Sequence, residues 1–138
     1  MTAEQKYLIS IVAALENIET VCGFVASIAN KAGLNAERVH HFYLSTEEIC
    51  TNIIEHGYVH PSGEIKVICR ILTDRFMVTI IDQAPPFNPL QHADPDPLTP
   101  LNERRNGGWG IFFVKQYIEQ ITYGYAEGEN RLTLTGWR

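Results

Sequence analysis

Ser45-Thr-Glu-Glu-Ile-Cys-Thr-Asn-Ile-Ile-Glu-His-Gly-Tyr58 makes two demands of one helix. Ile49, Cys50 and Ile53, with Val39, Phe42 and Tyr43 upstream, share one side and ask to be buried. Glu48, Asn52 and His56 recur at steps of four and ask for water or a ligand. At about 100° per residue, Asn52 lies about 40° and His56 about 80° around the axis from Glu48. His41 and Ser45 fall in that sector, opposite the apolar residues. Two explanations fit the strip. It is a solvated face, as charged helix faces usually are. Alternatively, it is a working surface. An amide oxygen can ligate Mg²⁺, a hard ion that prefers oxygen, while a carboxylate one turn away takes a proton from a nucleophile. The pattern E-x-x-x-N is too short to choose between them.

The residues around this helix set the fold class. Tyr7–Val12 is a short apolar run that suits an opening strand. Leu15, Ile18, Val21, Cys22, Val25, Ile28 and Ala29 form the stripe of a first helix, which Gly33 ends. Asn35 is placed to cap the second helix, and Gly57 and Pro61 stop it. Residues 64–72 and 75–82 are rich in β-branched side chains and read as a hairpin turning at Thr73-Asp74. A third helix is expected over 108–119, and closing strands over 120–126 and 130–137. Strands grouped in hairpins predict an α+β two-layer sandwich, a mostly antiparallel sheet of about five strands with three helices on one face.

The chain has 138 residues, 45% of them apolar and 20% charged, so a single globular domain over 1–138 is expected. A net charge of −5 gives no basic footprint, which argues against direct contact with nucleic acid. The sequence has neither a long apolar run nor a signal-like start, so no membrane segment and a cytoplasmic location are expected. Cys22, Cys50 and Cys69 are odd in number and scattered, as buried thiols in a reducing compartment would be.

Two further segments carry chemistry. Asp82 ends a strand at the mouth of the loop 83–107, which holds six of the seven prolines and suits a lid or binding loop. A carboxylate there can accept the exocyclic amino hydrogen of adenine, where guanine presents a carbonyl oxygen. It could equally open the loop as an Asx turn. Gly107-Gly108-Trp109-Gly110 runs into an apolar helical pattern. It is either a phosphate-binding turn at a helix N-terminus or a flexible lead-in to an ordinary helix. Arg104 and Arg105 just before it are lid charges or plain surface charge. His56, His60 and Glu55 invite a zinc site, but Gly57 and Pro61 break the register that pair would need.

Order and spacing make the three segments more specific together than apart. Glu48-Ile-Cys-Thr-Asn52-Ile-Ile-Glu-His56-Gly-Tyr58 resembles the N box of the Bergerat-fold ATP-binding superfamily, which includes histidine kinases and the gyrase ATPase domain. Asp82-Gln-Ala-Pro-Pro-Phe87-Asn-Pro89 resembles its next box, D-x-G-x-x-F-(D/N)-P, and residues 104–123 resemble its glycine box. The E-x-x-x-N-x-x-x-H-(A/G)-Y and P-P-F-(D/N)-P forms together are similar to one branch, the bacterial anti-sigma-factor serine/threonine kinases and their small stand-alone relatives.

The resemblance implies ATP and Mg²⁺ as ligands. It makes Glu48 the general base, Asn52 the Mg²⁺ ligand, Asp82 the adenine acceptor and 83–107 the lid. Gly107, Gly108 and Gly110 would lie on the phosphates, and His56, Ala84, Phe87, Arg105, Trp109 and Ile111 would complete the nucleotide site. It implies a homodimeric kinase that phosphorylates a serine of an anti-anti-sigma (STAS-like) partner and regulates a sigma factor. The alternative is a nucleotide-gated binding module of the same fold that transfers nothing. One position departs from the pattern: the glycine expected two residues after Asp82 is Ala84. If the backbone needs φ > 0 there, alanine costs about 1 kcal/mol; if φ is negative, its methyl only narrows the adenine pocket. Either way, weaker nucleotide binding than usual is expected.

Overall fold

The computed structural model describes residues 4–58, 63–91, 98 and 109–138. Strand β1 (Gln5–Val12) leads through a 3₁₀ turn at Leu15–Asn17 into α1 (Ile18–Lys31) and α2 (Ala36–Asn52). A π turn at Ile53–Gly57 follows, then β2 (Glu64–Ile71) and β3 (Arg75–Asp82). After a 3₁₀ turn at Pro89–Gln91, α3 (Trp109–Tyr117) precedes β4 (Gln120–Ala126) and β5 (Glu129–Trp137). The five strands form one sheet in the order β1-β2-β3-β5-β4, and every neighbouring pair is antiparallel. The expected α+β sandwich is the observed one; the strands over 75–82 and 120–126 match their expected spans, and α2 gives way to the π turn five residues before Gly57.

Hydrophobic burial welds the helices to one face of the sheet. Val21, Cys22 and Val25 of α1, Phe42, Ile49 and Cys50 of α2, and Ile111 and Val114 of α3 join Val67, Phe76, Val78, Ile80 and Leu134 in one core. Each large side chain so buried contributes about 1.5–3 kcal/mol. Phe42 meets Phe76 edge-on, with ring centroids 5.0 Å apart. The Asn35 cap forms as expected, its side chain accepting from the Arg38 N–H at 2.9 Å. Cys22, Cys50 and Cys69 are free and buried. Burial pushes the Cys22 and Cys69 thiols up to about 12, and Cys50 further up. No helix among the described residues is long and apolar enough to cross a membrane.

The polar strip of α2 is not a solvated face. Ser45 and Thr46 are fully buried, and Glu48 and Asn52 are half-buried. Counting angles on one helix says which residues share a side but not what packs there. Here α2 lies between α1 and α3, and α3 covers the polar side, where His41 stacks on Tyr117 at 4.4 Å. The strip is also shorter than its spacing predicts. The Tyr58 N–H reaches the Ile53 carbonyl at 3.0 Å, a five-residue step that breaks the α-helical spacing before His56. His56 is exposed.

Candidate functional site

The middle of the sheet supplies the first wall. Asp82 closes β3, paired with Ile65 of β2 on one side and Asn130 of β5 on the other. Its carboxylate is buried. Oδ1 accepts from the Ala84 N–H and from Asn130 Nδ2, both at 2.9 Å. The first of these bonds is an Asx turn, so the loop-opening role weighed for Asp82 is real. It uses only one carboxylate oxygen, and no hydrogen bond within the described residues reaches Oδ2. Burial raises the pKa of Asp82, and the bonds from Asn130 and Ala84 only partly hold it down.

Two side chains shape the segment after Asp82. Asn130 Nδ2 also faces the carbonyls of Ala84 at 3.0 Å and Pro85 at 3.2 Å. Its Oδ1 accepts from the Phe87 N–H at 3.1 Å and from the Tyr123 hydroxyl. From the other side, the Tyr58 hydroxyl accepts from the Gln83 N–H at 2.7 Å and donates to the Glu64 carbonyl at 2.6 Å. The end of the π turn is thereby strapped to both strands.

Between these walls lies a narrow, mainly apolar cavity, part of it open to solvent. Ile49, Asn52, Ile53 and Gly57 line it from the helix, and Ile80, Asp82 and Leu132 from the sheet. Ala84, Phe87, Tyr123 and Asn130 complete it. An apolar cavity with a few converging polar groups is the usual form of a small-molecule site.

Ala84 is not strained. Among the described non-glycine residues only Glu127 has a positive φ. The methyl instead occupies space that Gly57 leaves open: a Cβ added at Gly57 would lie 3.3 Å from Ala84 Cβ. The narrowing expected at this position is therefore matched by a missing side chain across the cavity.

Glu48 sits beside this cavity without lining it. Its carboxylate lies near the Asn52 side chain and rests on the first turn of α3. A Cβ added at Gly110 would fall 1.9 Å from Glu48 Cδ, so only glycine allows this approach. Burial raises the pKa of Glu48, the nearby Asn52 amide opposes it, the Glu47 and Glu55 carboxylates add to the rise, and His56 offsets part of it. Glu48 opens toward a groove lined by Leu15, Ile18, Glu19, Tyr43, Glu47 and Thr51.

The structure therefore gathers Asn52, Asp82, Ala84 and Phe87 on one cavity, with Glu48 and Gly110 in contact at its side. His56 does not line it, and Ile111 is part of the hydrophobic core. Trp109 begins α3, while Arg105, Gly107 and Gly108 lie outside the described residues. Sequence reasoning missed Asn130 and Tyr123. The signal for Asn130 was present in Asn130-Arg-Leu132-Thr-Leu134, whose alternation points a polar residue toward the core.

Residues 11–136 match the histidine kinase-like ATPase domain. The chain belongs to this family. It is 24% identical over 128 residues to the serine-protein kinase RsbW of Bacillus cereus (strain AH187), covering 90% of this chain and 80% of that protein. The serine-protein kinase RsbW of Bacillus mycoides (strain KBAB4) is 23% identical over the same length, with the same shares covered. Among solved structures, that of the RsbU and RsbW domains of Rv1364c from Mycobacterium tuberculosis has the same fold, with a TM-score of 0.67 at 17% identity. The likeness covers 95% of this chain and 31% of that longer one. The Bergerat-fold resemblance carried by the three sequence boxes is thus borne out for family and fold.

Proposed function

We propose that this chain is an ATP-dependent protein serine/threonine kinase of the anti-sigma-factor type. The observation that carries this reading is one cavity shared by Asn52 and Asp82, with Glu48 beside Asn52 and seated on Gly110. Adenine would enter the apolar cavity and donate its exocyclic N–H to Asp82 Oδ2. Guanine would bring a carbonyl oxygen against the same carboxylate and be disfavoured. The phosphates would extend toward the first turn of α3, where unpaired N–H groups and the helix dipole favour anions.

Magnesium fits such a site only as a companion of the nucleotide. No cluster of three or more His, Cys, Asp or Glu side chains among the described residues could hold a metal alone. Mg²⁺ is usually held by phosphates with one or two protein oxygens, and Asn52 offers a hard oxygen at the cavity wall. When bound, the ion would neutralise phosphate charge. The remaining chemistry falls to Glu48. It takes the proton of an incoming serine hydroxyl as the serine oxygen bonds to the γ-phosphorus and the bond to the ADP oxygen breaks. A carboxylate whose pKa lies above its ordinary value is the better base for this.

The acceptor in this reading is a serine on an anti-anti-sigma, STAS-like protein, and a sigma factor is the regulated partner of a homodimer. The serine-protein kinase relatives support the reaction class. Incubation of the protein with labelled ATP, Mg²⁺ and candidate anti-anti-sigma proteins tests it. Phosphoserine should form with the wild type, and Glu48→Gln should abolish transfer while still binding ATP. Equal transfer by the variant would remove Glu48 from the mechanism. ATP binding without transfer by the wild type would favour a nucleotide-gated binding module instead.

A further inference from the structure

Asn130 is a buried polar residue at the start of β5 with more partners than a strand position requires. Two amide hydrogens face three acceptors: Asp82 Oδ1 and the carbonyls of Ala84 and Pro85. Both lone pairs of its oxygen are taken, by the Phe87 N–H and the Tyr123 hydroxyl. With acceptors on one side and donors on the other, the amide has one orientation that satisfies it. No shorter or differently charged side chain reproduces this pattern. A hydroxyl has one hydrogen to give, and a carboxylate has none when ionised.

We infer that Asn130 determines which purine the cavity accepts. By engaging Oδ1 of Asp82 and fixing the backbone of Ala84, Pro85 and Phe87, it leaves Oδ2 as the acceptor available to a base. This rests on the nucleotide reading above and goes one residue further, to a positioning residue that acts through Asp82. An ionised Asp82 with a free Oδ2 accepts from the adenine amino group and repels the guanine carbonyl. Without Asn130, the carboxylate can turn and the segment after it loosens, so the distinction fades. With aspartate at position 130, two buried carboxylates face each other and share a proton. The shared O–H can then donate to the guanine carbonyl. Raising the pH strips that proton and restores the acceptor. Of the other titratable groups close to Asp82, the Tyr58 hydroxyl and the Cys50 thiol are pushed up by burial and stay neutral. The flanking Glu129 and Arg131 pair with each other at 2.7 Å.

The test is equilibrium titration of the full chain with ATP and with GTP, each with Mg²⁺, over a range of pH. The wild type should prefer ATP. Asn130→Ala should lower the ATP-over-GTP preference by about tenfold, the worth of one charge-assisted hydrogen bond. Asn130→Asp should lose the preference near neutral pH and regain it as pH rises, which a merely loosened fold would not do. If either Asn130 variant fails to melt as a folded protein, Asn130→Ser replaces it, with a partial loss expected. A folded Asn130 variant with the wild-type ATP/GTP ratio at every pH overturns the inference alone. A wild type that binds neither nucleotide overturns the nucleotide reading and the inference together.

Discussion

Replacing Gly110 with alanine should separate the chemistry of this protein from its stability. The new Cβ would stand 1.9 Å from Glu48 Cδ and 2.1 and 2.3 Å from the two carboxylate oxygens. Carbon–carbon contact is favourable only from about 3.5 Å, so the carboxylate must retreat by about 1.6 Å. The clash falls on the movable end of a side chain, not on backbone, and α3 itself need not shift. Alanine is a better helix former than glycine by up to about 1 kcal/mol, less within a first turn. Thermal unfolding should therefore be unchanged or slightly later than in the wild type. A displacement of about 1 Å at a reacting group can cost about 100-fold in rate, and that is the loss expected in phosphoserine formation. ATP affinity, set mainly around Asp82, should fall far less than the transfer rate. A Gly110→Ala protein that transfers phosphate at the wild-type rate would refute this reasoning. So would one whose loss of rate follows a loss of fold.

Gly57 and Ala84 form a matched pair, so their substitutions should not add. Gly57→Ala alone crowds Ala84 Cβ at 3.3 Å and should destabilise by about 1 kcal/mol, whereas the exchange Gly57→Ala/Ala84→Gly should recover most of that in denaturant melts. The pH dependence of phosphate transfer should show an acid limb above the ordinary glutamate value. Burial raises the Glu48 pKa, and the base is active only when ionised, so the rate falls as pH drops through that raised value. In thiol labelling of the native protein at pH 8, Cys22, Cys50 and Cys69 should react only as fast as the fold opens. Cys22 and Cys69, pushed up to about 12, carry little thiolate there.

The fold was legible because its signals are local. Hairpins turning at Thr73-Asp74 and Glu127-Gly128 imply antiparallel pairing, and the apolar stripes of α1 and α2 imply helices packed on one sheet face. Asp82 and Asn52 were legible because each sits in a box with fixed spacing. What was not legible depends on neighbours distant in sequence. Nothing in residues 36–52 says that α3 will lie against the polar side of α2 and bury Ser45. Nothing in the spacing of Glu48, Asn52 and His56 announces the π turn that breaks it before His56. Asn130 becomes meaningful only once β5 is placed beside β3, 48 residues from Asp82 in the chain. Ala84 looked like a defect because its compensation is at Gly57, on another element.

The central claim is that Asp82 is kept buried and ionisable in order to hold adenine. Its pKa is raised on folding, so the folded state binds that proton more tightly than the unfolded chain does. The stability this group contributes is present at low pH and is lost as pH rises through the raised value, so above that value the ionised carboxylate is a cost to the fold. Calorimetric titration with ATP and Mg²⁺, run beside thermal unfolding on the wild type and Asp82→Asn, tests the claim directly. The expected result is measurable binding by the wild type, a loss of about 10- to 100-fold in the variant, and a melting temperature that does not fall. Absence of binding heat with the wild type at millimolar ATP, or equal affinity in the two proteins, would contradict it.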